Sequence, residues 1–256
     1  HKPAMDPVIQ AFTGFMSENK GPDDIPHRTP VILFDMTTAL YATQLISASL
    51  YGRVNEKFGR KIEISLMEAA AAMQSIRLMS GYMEGPYTHA SSPSGTFKTK
   101  DSWIQIIVVK NHEFIKFCNA VGWKKFINDK RFVNNAERRK HEVILSKEVQ
   151  KLFIKEKTDY WKNLLDKFEV QNEKVQNYKE FIESEQTKAL DLISWLKQPT
   201  TGKVWPVPNI PGMARLKDCD LLSKAPSLGQ HTSEILKSLG YSDSQLEDLI
   251  NQEVVK

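Results

Sequence analysis

ILFDMTTALYATQLISASLYGRVNEKFGRKIEISLMEAAAAMQSIRLM, residues 32–79, reads as strand, sharp turn, helix, turn, strand, helix. Ile32-Leu33-Phe34 is a short apolar run suited to the end of a strand. Asp35 and the pair Thr37-Thr38 follow, then a small-residue helix from about Ala39 to Tyr51. Gly52 and Gly59-Arg60 punctuate the connection. From Lys61 to Leu66 the sequence alternates, with Ile62, Ile64 and Leu66 on one face and Glu63 and Ser65 on the other, the pattern of a half-buried strand. A second Ala- and Met-rich helix runs from about Met67 to Met79. Strand and helix alternating in this order predict an α/β layer.

Asp35 sits where the predicted strand hands over to the helix, and two roles fit it. As a helix N-cap, its side chain accepts a bond from the Thr37 or Thr38 N–H. As a functional group, it is a carboxylate at the carboxyl end of a strand, where open α/β sheets place their ligands. Residue pattern alone leaves both open.

The stretch resembles the class III CoA-transferases of the CaiB/BaiF type. That family carries an Asp-x-x-Thr-Gly/Ala element leading into an Ala/Leu helix, then a Gly-Arg turn, a short alternating strand and a further helix. The matching residues are Asp35-Met36-Thr37-Thr38-Ala39, Gly59-Arg60-Lys61 and Ile62 to Met67. Ala39 replaces the Gly of many members. Ala4 to Gly14 resembles a second family segment through Asp6, Gln10, Ala11 and Gly14, and Ala225 to Thr232 (APSLGQHT) a third. The likeness is collinear over nearly the whole chain and loosest between residues 100 and 200.

The resemblance implies a fold: α/β, with a Rossmann-like large domain, incomplete in this chain, and a smaller α+β domain, in an interlocked dimer. Residues 1–80 correspond to the part of the large domain carrying the nucleophile, 81–95 to a linker, 96–195 to the small domain and 196–256 to the return to the large domain. The Gly-, Pro- and Ser-rich GYMEGPYTHASSPSG supports the linker independently. The chain starts His1-Lys2-Pro3, and family members carry a large segment before that point. The likeness therefore leads us to expect an N-terminal segment or partner chain.

It also implies a chemistry. Asp35 is the one residue matching the family nucleophile. A carboxylate is ionised at neutral pH without an added base. It attacks the thioester carbonyl of an acyl-CoA, and the released thiolate then attacks the Asp35 carbonyl, giving an aspartyl-CoA thioester and a free acid; a second carboxylic acid reverses the steps. Backbone N–H groups at the helix start after Asp35 are expected to stabilise the oxyanions. Lys2, Pro3, Ala4 and Met5 match a segment that contacts CoA. CoA is substrate here, and no cofactor or metal is implied. A CoA-thioester racemase on the same fold is the alternative, but Met5 stands where the racemases have a catalytic His, and Met cannot exchange protons. We expect Met5 to serve only in packing. A non-catalytic C-terminal fragment or subunit needing a partner chain is the third reading.

Composition agrees with a globular protein: 41% apolar and 26% charged residues in 256, with formal net charge +4. That small excess does not call for nucleic acid, and no apolar run reaches membrane-spanning length. Cys118 and Cys219 have no metal-ligand spacing and are expected as free thiols in a reducing, cytoplasmic setting. His27 and Arg28 lie in a polar loop and read as solvated.

The remaining expectations concern local structure. Asp6 should cap a helix whose first residue is Pro7. Thr96 to Val109 should form a hairpin turning at Lys100-Asp101-Ser102. Phe114, Phe117 and Cys118 should face inward from a helix over His112 to Ala120. A helix from about Glu137 to Lys155 should bury Val143, Leu145, Val149, Leu152 and Phe153. Thr158 should cap the next helix, with Tyr160, Trp161, Leu164, Leu165 and Phe168 as its apolar stripe. Ser242 and Gln245 form a capping box for the last helix. His231, beside a helix start, reads as structural.

Overall fold

The computed structural model describes residues 3–21, 24–56, 58–85, 89–199, 201–217 and 225–256. The chain is mixed α and β and divides into two compact units: residues 1–92 with 130–142, and residues 93–129 with 143–256.

The described part of the first unit is helical. Helices α1 (Asp6–Phe12), α2 (Phe15–Glu18), α3 (Leu33–Gly52), α4 (Leu66–Met73) and α5 (Ser75–Glu84) follow in order. Neither predicted strand forms. Ile32 to Phe34 belongs to the start of α3, which begins six residues before the predicted Ala39 and ends at Gly52 as the sequence indicates. Residues 61–65 keep the period-two burial of a strand, with Ile62 and Ile64 half-buried between exposed Lys61, Glu63 and Ser65, but pair with no strand among the described residues. Ser65 instead opens α4 as a full capping box with Glu68. The predicted second helix is two, separated at Gln74.

Around Phe34, the only fully buried residue of α3, Ile9 of α1 and Ala70 of α4 form a small core, flanked by Phe15, Leu33 and Leu66. Phe15 meets Phe34 edge to face at 5.6 Å. The rest of α3 is apolar on every side, and Leu40, Ile46, Leu50 and Tyr51 stay exposed. The segment 130–142 brings two more buried side chains, Phe132 and Arg138, and the Arg138 Nε donates to the Ser92 carbonyl at 2.7 Å.

In the second unit, β1 (Ser94–Lys98) and β2 (Trp103–Ile107) form the expected hairpin, Thr96 opposite Gln105. Antiparallel β3 (Asn172–Lys174) extends the sheet on β2. Ser102 has no positive φ, so the turn does not require a glycine there. Next come α6 (Asn111–Ala120) and α7 (Lys124–Ile127), then α8 (Asn135–Lys140), which belongs to the first unit. The chain continues through α9 (Glu142–Phe153) and α10 (Thr158–Lys167). Thus the single helix expected over 137–155 is broken at His141, and Val143 is exposed rather than buried. Phe114, Phe117 and Cys118 of α6 are buried as expected. Phe153 packs, tilted, at 4.9 Å against Trp161, whose indole N–H donates to the Phe153 carbonyl. Trp161 and Leu165 are core, whereas Tyr160 is exposed. A second hairpin, β4 (Ile193–Lys197) with β5 (Val204–Pro208), and two helices, α11 (Thr232–Ser238) and α12 (Asp243–Asn251), follow. α12 has the expected Ser242/Gln245 capping box. His231 is exposed at the N-cap position of α11, where its side chain makes no cap bond. Cys219 lies outside the described residues.

Thr158 does not cap α10. Lys157 occupies the N-cap position, and the acceptor is Asp101 in the β1–β2 turn, which takes the Thr158 N–H and hydroxyl at 2.9 Å each. Those bonds hold the Asp101 carboxyl below its ordinary value of 3.8. A depressed folded-state value means the carboxylate stabilises the fold well above pH 3.8, and this is lost as the pH falls through the lower folded value. Asp101→Asn is therefore expected to lower the urea midpoint at pH 7, with the gap to the parent narrowing on acidification below that value. A gap independent of pH would contradict the assignment.

Candidate functional site

The candidate nucleophile lies in the first turn of α3. Ile32 is the N-cap residue, and Leu33, Phe34 and Asp35 are the first three helical residues. Asp35 is thus neither at a strand end nor an N-cap. Its side chain is half-buried, and no hydrogen bond or ion pair engages its carboxylate among the described residues. A carboxylate left without donors keeps its lone pairs available for attack.

Ile32 has no side-chain oxygen for the exposed N–H groups of the first turn. Asp6 supplies it from 28 residues upstream. Its Oδ2 accepts from the Phe34 N–H at 2.7 Å and the Asp35 N–H at 3.3 Å. Its Oδ1 accepts from Gln10 Nε2 at 2.5 Å. Gln10 Oε1 in turn takes the Thr29 N–H at 2.9 Å, and Gln10 Nε2 reaches the Val31 carbonyl at 3.4 Å. Both side chains are buried, Asp6 at 2% and Gln10 at 0% exposure. A buried carboxylate needs such partners to offset its desolvation. One turn apart on α1, Asp6 and Gln10 share a face that clamps the loop before α3 and the turn bearing Asp35.

The expectation that Asp6 caps its own helix is corrected. Met5 is the N-cap residue of α1, and Asp6 and Pro7 are its first two helical residues. Met5 is 74% exposed and does not pack as expected. Pro3, Ala4 and Met5 are exposed and lead directly into Asp6, so they emerge beside the Asp35 turn. Lys2 lies outside the described residues.

The oxyanion expectation is corrected too. The Leu33 N–H donates to the Val31 carbonyl at 2.8 Å and the Met36 N–H to the Ile32 carbonyl at 3.1 Å, while Asp6 holds the two between. The N–H groups of this first turn are all engaged, so any oxyanion donors come from elsewhere. Thr37 and Thr38 likewise turn their hydroxyls back onto the Leu33 and Phe34 carbonyls.

The Asp6–Gln10 clamp escaped the sequence reading. The likeness marks Asp6 and Gln10 as matching positions, and locally they are two polar residues, one helical turn apart, in a segment that otherwise reads PVI and AF. Among the described residues no group of three His, Cys, Asp or Glu is placed to hold a metal ion, and no helix is long and apolar enough to cross a membrane.

The chain is 28% identical over 262 residues to a human succinyl-CoA:glutarate CoA-transferase, covering 98% of this chain and 59% of that protein. It is 27% identical over 216 residues to a Clostridioides difficile (R)-2-hydroxy-4-methylpentanoate CoA-transferase, covering 82% of this chain and 54% of the relative. It therefore spans little more than half the length of these relatives. Among solved structures, a CaiB/BaiF family protein from Brucella suis superposes with a TM-score of 0.76 over 93% of this chain and 63% of the other, at 22% identity. That similarity carries the fold. The family model for CoA-transferase family III matches residues 1–232, and the chain belongs to that family.

Proposed function

We propose that the protein is a CoA-transferase that moves CoA from an acyl-CoA thioester to a free carboxylic acid, with Asp35 as nucleophile. One observation supports this above the others: the residue matching the family nucleophile is a half-buried carboxylate without a donor, on a helix turn held in place by a buried clamp.

The Asp35 carboxylate attacks the thioester carbonyl carbon. A C–O bond forms, the C–S bond breaks, and the thiolate leaves behind a mixed anhydride. The thiolate then adds to the Asp35 carbonyl carbon, and the anhydride C–O bond breaks to release the first acid as carboxylate. The second acid attacks the aspartyl thioester and the steps run backwards, restoring Asp35. No proton is gained or lost, and the thioester's activation is conserved. Water must be excluded from both acylated states.

Two further parts of this reading concern assembly. Helix α3 is apolar on all sides, yet Phe34 alone is buried, which suits a helix covered by more protein. We assign that cover to the remainder of a Rossmann-like large domain and to a second copy in a homodimer. A cytoplasmic location belongs to the same proposal, with Cys118 buried and in no disulfide among the described residues. Met5, exposed and unable to exchange a proton, disfavours the racemase reading.

The test is isotope exchange. An acyl-CoA is incubated with the isotopically labelled free acid of the same acyl group, across a panel of acids, with the protein as its source organism makes it. Label is expected to enter the thioester without net reaction. Deuterium from solvent entering the α-carbon, with no label in the thioester, would replace this reading by the racemase.

A further inference from the structure

We propose that Asp6 is a positioning residue for catalysis: its buried carboxylate is the N-cap that α3 lacks, and it sets where Asp35 stands. The inference rests on Asp35 being the nucleophile.

The geometry divides the labour between two carboxylates. Asp6 is 2% exposed, and both its oxygens are engaged, one by the Phe34 and Asp35 N–H groups and the other by Gln10. It is saturated with donors and sealed from an incoming thioester. Asp35 has the half-buried, donor-free carboxylate. An N-cap acceptor normally comes from the residue just before the helix and serves the N–H groups of its second and third residues. Here those are Phe34 and Asp35, and the residue in that place, Ile32, has no acceptor side chain. The nucleophile is thus the third residue of a turn whose ordering depends on a carboxylate from another helix. Without it, Phe34 and Asp35 would lose the acceptor for their N–H groups, and the turn would fray. A displacement of about 1 Å at a reacting group costs about 100-fold in rate.

The defect should be curable by giving α3 a cap of its own. Ile32 holds the N-cap position of α3, and a serine there would offer its hydroxyl to the same N–H groups. The unmodified enzyme is first shown by mass to form a CoA adduct on Asp35 from acyl-CoA. Absence of that adduct would overturn this inference together with the reading beneath it. Asp6→Ala is then expected to lower kcat about 100-fold at unchanged KM for acyl-CoA, assayed well below its melting temperature. Adding Ile32→Ser is expected to restore at least about tenfold of that loss, and Ile32→Ser alone to leave kcat unchanged. Adduct formation in Asp6→Ala as fast as in the parent overturns this inference alone. So does a double variant whose melting temperature recovers while its kcat does not. Should Asp6→Ala fail to fold, Asp6→Asn carries the test, because its carboxamide oxygen still faces the two N–H groups while its amide opposes that of Gln10. A kcat loss of about tenfold at unchanged KM is then expected, and an unchanged kcat overturns the proposal.

Discussion

Asp35→Asn is expected to lose at least about 10³-fold in kcat while melting within a degree or two of the parent. The two halves of that result come from different features. A carboxamide keeps the size of the side chain but cannot form the mixed anhydride, so the covalent route is closed. The fold should not notice, because no bond of the folded chain is described to the Asp35 carboxylate. Its backbone N–H, which does matter to α3, is unaltered. Asparagine can revert slowly to aspartate by deamidation, so Asp35→Ala is measured beside it and should show the same loss. A variant retaining more than a tenth of parental turnover would contradict the assignment. A large fall in melting temperature would instead make Asp35 structural.

Arg138→Ala is expected to have the largest effect on stability, about 3 kcal/mol or more, read from the urea midpoint at constant m-value. Arg138 has 0% exposure. Its Nε donates to the Ser92 carbonyl at 2.7 Å and its Nη1 to the Phe132 carbonyl at 3.3 Å. Truncation would leave both buried carbonyls without these donors and open a cavity the size of a guanidinium and its stem. Arg138→Lys should recover only part of the loss, since one ammonium cannot reproduce the planar fork that serves two separate carbonyls. A change below about 0.5 kcal/mol for the alanine variant would show that the segment 130–142 is held by other contacts.

How far the sequence could be read depends on how local each cause was. The β1–β2 hairpin, the inward face of α6 and the α12 capping box were legible because each is decided by residues within one turn or strand. The start of α3 was not. Ile32-Leu33-Phe34 is too short for its apolarity to separate strand from helix, and the acceptor that lets α3 begin there comes from Asp6. The same blindness recurs at α10, whose cap is Asp101, 57 residues before Thr158. In both cases the sequence offers a cap candidate close by, Asp35 or Thr158, whereas the carboxylate that accepts the N–H groups lies far off along the chain. Residues 61–65 failed differently: their alternation was real, and their burial follows it, but a strand also needs a partner edge. The identity of the candidate nucleophile came through likeness to the family, since pattern alone left both cap and catalyst open.

The most direct test of the central claim is the mass of one peptide. The protein is mixed with acyl-CoA, quenched in acid and digested, and the peptide carrying Asp35 is weighed with and without hydroxylamine. The account predicts a gain equal to CoA less one water on that peptide, discharged by hydroxylamine to leave a hydroxamate at Asp35. CoA found on a different residue, or an unmodified Asp35 in a preparation that turns over, would contradict it.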